Sequence, residues 1–129
     1  MSVERLVVDA SAVIDLLRER GDPVRSRLDE RSLHAPVHLD AEILSGLGRR
    51  HRAGLVDGRA VTTALAAVAA APITRHRVTP LLEGAWARRG QLRLADALYV
   101  ELADRLAARL ITTDERLGSA TDIAEVVTA

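Results

Sequence analysis

Apolar and polar positions alternate along the chain in two distinct rhythms. Leu6 to Val8 is a short apolar run rich in β-branched residues and Leu110 to Thr112 reads as a buried strand, while Leu33 to Ala35 reads as a brief strand ended by Pro36. Between them the spacing turns helical. Val13, Ile14, Leu16 and Leu17 predict a helix over 11–20, broken by Gly21-Asp22-Pro23, and a second short helix follows over 24–31. Ile43, Leu44 and Leu47 predict a helix over 39–52, ending in Arg49, Arg50, His51 and Arg52 with Gly54 beyond; basic residues there complement the helix dipole. An Ala-rich helix over 59–71 stops at Pro72, a strand is predicted over 73–78, and Pro80 opens a helix over 81–89. Leu94, Leu98, Leu102 and Leu106 form an i, i+4 stripe expected to face the core. A helical turn over 115–117 and a last strand over 123–127 complete the chain.

Strands alternating with helices predict an α/β fold with a mostly parallel sheet covered on both faces. The chain of 129 residues, without repeats or low-complexity linkers, is expected to form one domain over 1–129.

Four acids stand at corresponding joints of this pattern. Asp9 closes the first apolar run, Glu42 and Asp96 lie early in predicted helices, and Asp114 follows Leu110-Ile111-Thr112. In an open α/β sheet, ligands gather at the carboxyl ends of the strands. Asp9, Asp96 and Asp114 could each be a helix cap taken singly. Four together would repel one another without a cation and add nothing to stability, so the set predicts a divalent-metal site of oxygen ligands, suited to Mg²⁺. Such an ion activates water and neutralises charge on a phosphate, which points to phosphodiester hydrolysis.

Composition narrows the chemistry. There is no cysteine, hence no disulfide and no thiolate zinc site. Charge balances at 18 bases and 18 acids, but every base is arginine; with the four acids on a metal, 18 arginines face 14 acids, compatible with RNA phosphate. Arg75, Arg77, Arg88, Arg89 and Arg93 are candidate phosphate contacts. The lack of lysine argues against a phosphoacceptor receiver, a haloacid-dehalogenase-like phosphatase and a P-loop. Gly46-Leu47-Gly48 lies inside a predicted helix and is no dinucleotide fingerprint. His34 and His38 are separated by Pro36, while His51 and His76 lack evident partners, so surface or capping roles are expected for all four. Asp15 and Asp122 are expected on the surface. The segment Met1-Ser2-Val3-Glu4-Arg5 carries an acid before a short apolar run interrupted by Asp9 and Asp15. No signal peptide or membrane span is expected, and the default is cytoplasmic.

The stretches Val7-Val8-Asp9-Ala10-Ser11-Ala12-Val13, Asp40-Ala41-Glu42-Ile43, Leu94-Ala95-Asp96-Ala97-Leu98-Tyr99 and Thr112-Thr113-Asp114-Glu115-Arg116-Leu117 closely resemble the motifs of PIN domains. Among these they are most similar to the VapC ribonuclease toxins of bacterial toxin-antitoxin pairs, nearly end to end. The resemblance implies a three-layer α/β/α sandwich and Mg²⁺- or Mn²⁺-dependent endonucleolytic cleavage of RNA by water. Asp9, Glu42, Asp96 and Asp114 take the family's acidic positions, with Ser11 and Thr112 as hydroxyls supporting carboxylates or water. It further implies a homodimer and a cognate VapB-like antitoxin covering the acidic groove. A PIN nuclease of RNA maturation without a toxin role, and a non-catalytic PIN-like binding scaffold, remain as alternatives.

Overall fold

The computed structural model describes residues 2–18 and 22–128. Its strands are β1 (Arg5–Val8), β2 (Ser32–Pro36), β3 (Ile73–His76), β4 (Arg109–Thr112) and β5 (Ala124–Val126). They form one sheet in the order β3-β2-β1-β4-β5. Every neighbouring pair is parallel, Val7 lying opposite His34 on one side and Leu110 on the other. Leu6, Val7 and Val8 are completely buried, as a central strand covered on both faces requires.

The helices are α1 (Ala10–Leu16), α2 (Asp22–Leu28), α3 (Leu39–Arg52), α4 (Gly58–Ala70), α5 (Leu82–Ala87), α6 (Leu94–Arg105) and α7 (Glu115–Ala120). Connections from β1 to β2 to β3 move outward one way, whereas β3 to β4 and β4 to β5 move the other way. Right-handed crossovers therefore lay α1 to α4 on one face and α5 to α7 on the other, giving three layers. The chain reverses direction across the sheet between β1 and β4, and the crevice beyond their carboxyl ends is where such sheets bind ligands.

Close packing sets the spacing of the layers. A Cβ on Gly46 would sit 2.8 Å from Ile14 Cδ1, so glycine there lets α3 approach α1. Gly54, at φ 76°, closes α3: its N–H donates to the His51 carbonyl and that of Leu55 to the Arg50 carbonyl at 2.9 Å, a turn that needs left-handed backbone. The same turn closes α6, where Ala107 holds φ 51° and the Ala108 N–H donates to the Ala103 carbonyl at 2.9 Å.

Several sequence expectations need correction. The first helix ends at Leu16 rather than Arg20; residues 19–21 lie outside the described residues, and Pro23 belongs to the first turn of α2. The strand over 73–78 stops at His76, and Pro80 sits in a 3₁₀ turn over Thr79–Leu81 that precedes α5. In α6 the leucine stripe faces the core except at its start: Leu102 is 3% exposed and Leu98 and Leu106 pack against the core, whereas Leu94 is 49% exposed, and Ala97, Tyr99, Val100 and Ala103 widen the buried face. Small residues at positions 97 and 103 let the helix lie close to the sheet, leaving Leu94 at its exposed start. His76 does have a partner: its Nε2 lies 2.8 Å from His34 Nδ1 across the β2–β3 pair. No described helix is long and apolar enough to cross a membrane.

Candidate metal centre

β1 delivers Asp9 to the crevice and β4 delivers Asp114, so the first and last candidate acids face the chain reversal from its two sides. Asp9 is only 7% exposed, yet it is well supplied with donors. Its Oδ1 accepts from Ser11 Oγ at 2.7 Å and from the Ala12 N–H at 2.9 Å, capping α1; its Oδ2 accepts from Thr112 Oγ1 at 2.5 Å. Burial raises the Asp9 pKa above the ordinary aspartate value; the Thr112, Ser11 and Ala12 hydrogen bonds oppose that rise, and the nearby Asp96 charge adds to it. Thr112, completely buried, also accepts the Asp114 N–H at 3.0 Å, while Ser11 Oγ accepts the Thr113 N–H at 3.0 Å. Two hydroxyls thus tie the end of β1 to the end of β4.

Asp114 caps α7 through Oδ1, which accepts the Arg116 N–H at 2.9 Å and the Leu117 N–H at 3.4 Å. Its Oδ2 faces away from the cap and meets Arg116 Nη2 at 3.1 Å; the same nitrogen reaches Asp96 Oδ2 at 3.2 Å. Asp96 is no cap, since the N-cap position of α6 is Arg93 and Asp96 lies within the first turn. Capping therefore accounts for Asp9 and Asp114 in part and for Asp96 not at all.

Glu42, in the first turn of α3, is positioned by a residue that sequence reasoning missed. The Tyr99 hydroxyl, from a side chain 1% exposed, donates to Glu42 Oε1 at 2.5 Å. Burial and the Glu42, Asp9 and Asp96 charges hold the Tyr99 pKa far above its usual value, so it stays a donor. Three of the four acids thus lie close enough to act on one hydroxyl. His38 stacks on Tyr99 with centroids 4.6 Å apart, its Nε2 lying 3.2 Å from the Ala95 carbonyl and 3.6 Å from Glu42 Oε1; its Nδ1 is buried without a hydrogen-bond partner. The only advance signal for Tyr99 was its place in α6 one turn from Asp96, and none existed for His38.

The arginines divide differently from the sequence expectation. Arg75 is bound twice to Asp40 at 2.9 Å, and Arg88 pairs with Glu101 and Asp104. Arg89 lies 4.6 Å over the Trp86 ring. Arg77 and Arg93 are exposed and without a described carboxylate partner. By contrast Arg49, whose place at a helix end favours a capping role over an RNA patch, lines the cleft beside Ser11 and Thr113 together with Arg18 and Arg50, and also the hollow beside His38 and Glu42. Asp15 pairs with Arg18 at 3.7 Å on the rim of that cleft, and Asp122 is exposed.

Carboxylates and hydroxyls with no thiolate make a donor set suited to a hard divalent ion. Among the described residues no three acidic or histidine groups are already gathered closely enough to hold one. Asp96 and Asp114 nevertheless converge on a single cation, the Arg116 guanidinium. The residues fit such an ion in chemistry, with two carboxylates within reach of one positive charge and Asp9 alongside.

Comparison with known proteins identifies the family. A family model described as the PIN domain matches residues 6–123. Ribonuclease VapC3 of Mycobacterium tuberculosis is 52% identical over 120 residues, spanning 91% of this chain and 88% of that protein. Ribonuclease VapC9 of the same organism is 41% identical over 115 residues, 87% of each chain. Among solved structures, PAE2754 from Pyrobaculum aerophilum superposes with a TM-score of 0.70 at 28% identity, covering 95% of this chain and 82% of that one. The chain therefore belongs to the PIN domain family and, at this identity and coverage, to its VapC ribonucleases.

Proposed function

We propose that this VapC-type ribonuclease is one nuclease domain that cleaves RNA endonucleolytically, with Asp9, Glu42, Asp96 and Asp114 holding the Mg²⁺ or Mn²⁺ the reaction needs. The observation that carries this reading is the meeting of Asp96 and Asp114 on one cation beside a buried, pre-oriented Asp9. A divalent ion bound there supplies activated water and offsets charge on the phosphate. The protein's own part is positioning. Thr112 and Ser11 fix both oxygens of Asp9, so its carboxylate loses no orientational freedom when a ligand arrives. Tyr99 fixes Glu42 in the same way. Arg49, Arg50 and Arg18 line the adjoining cleft and supply positive charge for the RNA backbone.

A toxin role in a VapBC-type pair follows from family membership. The partners are then the RNA substrate, a cognate VapB-like antitoxin over the acidic cleft, and a second copy of the chain in a homodimer, all in the cytoplasm. Expression of the chain without its antitoxin arrests growth, and Asp9→Asn or Asp96→Asn abolishes the arrest while leaving folded protein. Purified chain cuts RNA in Mg²⁺ or Mn²⁺ and stops in EDTA. Cutting that persists in EDTA would overturn the metal assignment, and undiminished toxicity of both soluble variants would overturn the residue assignment. RNA cleavage without growth arrest would instead favour an RNA-processing nuclease.

A further inference from the structure

We propose that Arg116 is a built-in counter-cation that bridges Asp96 and Asp114 in the metal-free chain and competes with the divalent ion for the same carboxylate oxygens. This inference rests on the metal reading above. Asp114 divides its two oxygens: Oδ1 is held by the N–H groups of Arg116 and Leu117, so Oδ2 is the oxygen left for a ligand. That oxygen is the one Arg116 takes, at 3.1 Å. The same nitrogen, Nη2, takes Oδ2 of Asp96 at 3.2 Å. One atom of positive charge thus joins two carboxylates from different elements, the first turn of α6 and the cap of α7, much as a bridging ion does.

The Arg116 side chain is 47% exposed, so it can swing out without disturbing the core. Its backbone stays anchored by the Asp114 cap, so a displaced guanidinium remains tethered at the rim of the site. Among the described residues no other arginine forms an ion pair with Asp96 or Asp114. In the metal-free state the bridge relieves repulsion between two neighbouring acids. Metal binding must break two exposed ion pairs and is weaker by that amount.

The test titrates Mn²⁺ into full-length wild type, Arg116→Gln, Arg116→Lys and Arg93→Gln by calorimetry. Arg93 precedes Asp96 by three residues and is exposed, so its loss removes the same charge nearby without removing a bridge. Arg116→Gln is expected to bind Mn²⁺ roughly 5-fold tighter than wild type, the scale of exposed ion pairs, and Arg93→Gln to change affinity by less than about 2-fold. Arg116→Lys, a point charge without the fork, falls between. Side-chain ¹H–¹⁵N spectra of wild type provide a readout that does not depend on any variant folding: the Arg116 Nε signal shifts on adding Mg²⁺. Unchanged or weaker Mn²⁺ binding by Arg116→Gln, an equal gain in Arg93→Gln, or an Arg116 signal unmoved by saturating Mg²⁺ would overturn the counter-cation while leaving the metal site standing. A wild type that binds no Mn²⁺ would overturn both.

Discussion

Replacing Thr112 by Val tests the central link of the site with little change of shape. Valine fills the threonine volume, so no cavity opens at this fully buried position; what disappears is one hydroxyl with two partners. Asp9 Oδ2 loses its donor at 2.5 Å, and the Asp114 N–H loses its acceptor at 3.0 Å. A hydrogen bond to an ionised group is worth about 1.5–3 kcal/mol and a neutral one about 1 kcal/mol, so the variant loses about 2–4 kcal/mol at pH 7.5. With a urea slope of about 2 kcal/mol per molar, its unfolding midpoint falls by about 1–2 M.

The pH dependence identifies the cause. Burial already raises the Asp9 pKa in the folded chain, and Thr112 is the largest opposing influence, so its loss raises that pKa further. A raised folded pKa leaves the group's full stability contribution below the unfolded aspartate value of 3.8, to be lost as pH climbs through the folded value. The Thr112→Val deficit should therefore be large at pH 7.5 and small near pH 4. Ser11→Ala provides the comparison: the Ala12 N–H still serves Asp9 Oδ1, but the Thr113 N–H loses its acceptor at this part-buried position, so the loss is about 1–3 kcal/mol. Urea titrations followed by far-UV circular dichroism measure all three proteins. A Thr112→Val midpoint equal to wild type, or a deficit that does not change with pH, would refute the reasoning. RNA cleavage by Thr112→Val should fall, though less than in Asp114→Asn.

Tyr99→Phe keeps the ring stacked on His38 but leaves Glu42 without its donor, and should cost about 1–2 kcal/mol in thermal unfolding. Cleavage should lose kcat rather than gain KM if Tyr99 acts by holding Glu42 in place. Asp9→Asn should be inactive yet more stable than wild type at neutral pH, because asparagine keeps the Ala12 and Ser11 bonds and has no buried charge; the advantage should vanish towards pH 4, as urea midpoints will show. Ala107→Gly should raise the melting temperature, since φ 51° costs alanine about 1 kcal/mol that glycine does not incur. An unchanged or lower value would argue that the α6 turn is not strained.

Much of the architecture was legible in local rhythm. The order of strands and helices, the helix over Leu39–Arg52 and the placement of Asp9, Glu42, Asp96 and Asp114 at element joints all follow from short-range periodicity, because backbone hydrogen bonding imposes it within a few residues. Their order and neighbours also carried the PIN resemblance, which the comparisons uphold.

The tertiary structure decided which groups meet. Thr112 and Asp9 are 103 positions apart, Tyr99 and Glu42 are 57 apart, and His34 and His76 are 42 apart, so no local pattern could pair them. The leucine stripe of α6 marked part of the buried face through Leu98, Leu102 and Leu106, but not that Ala97, Tyr99 and Ala103 share it, because the width of that face depends on how closely the helix approaches the sheet. The sequence by itself determined a parallel α/β scaffold with four acids at its joints. Folding decided that two hydroxyls lock the first acid, a buried tyrosine holds the second, and an arginine beside the fourth bridges it to the third; these contacts depend on ångström-scale distances between elements that only packing sets.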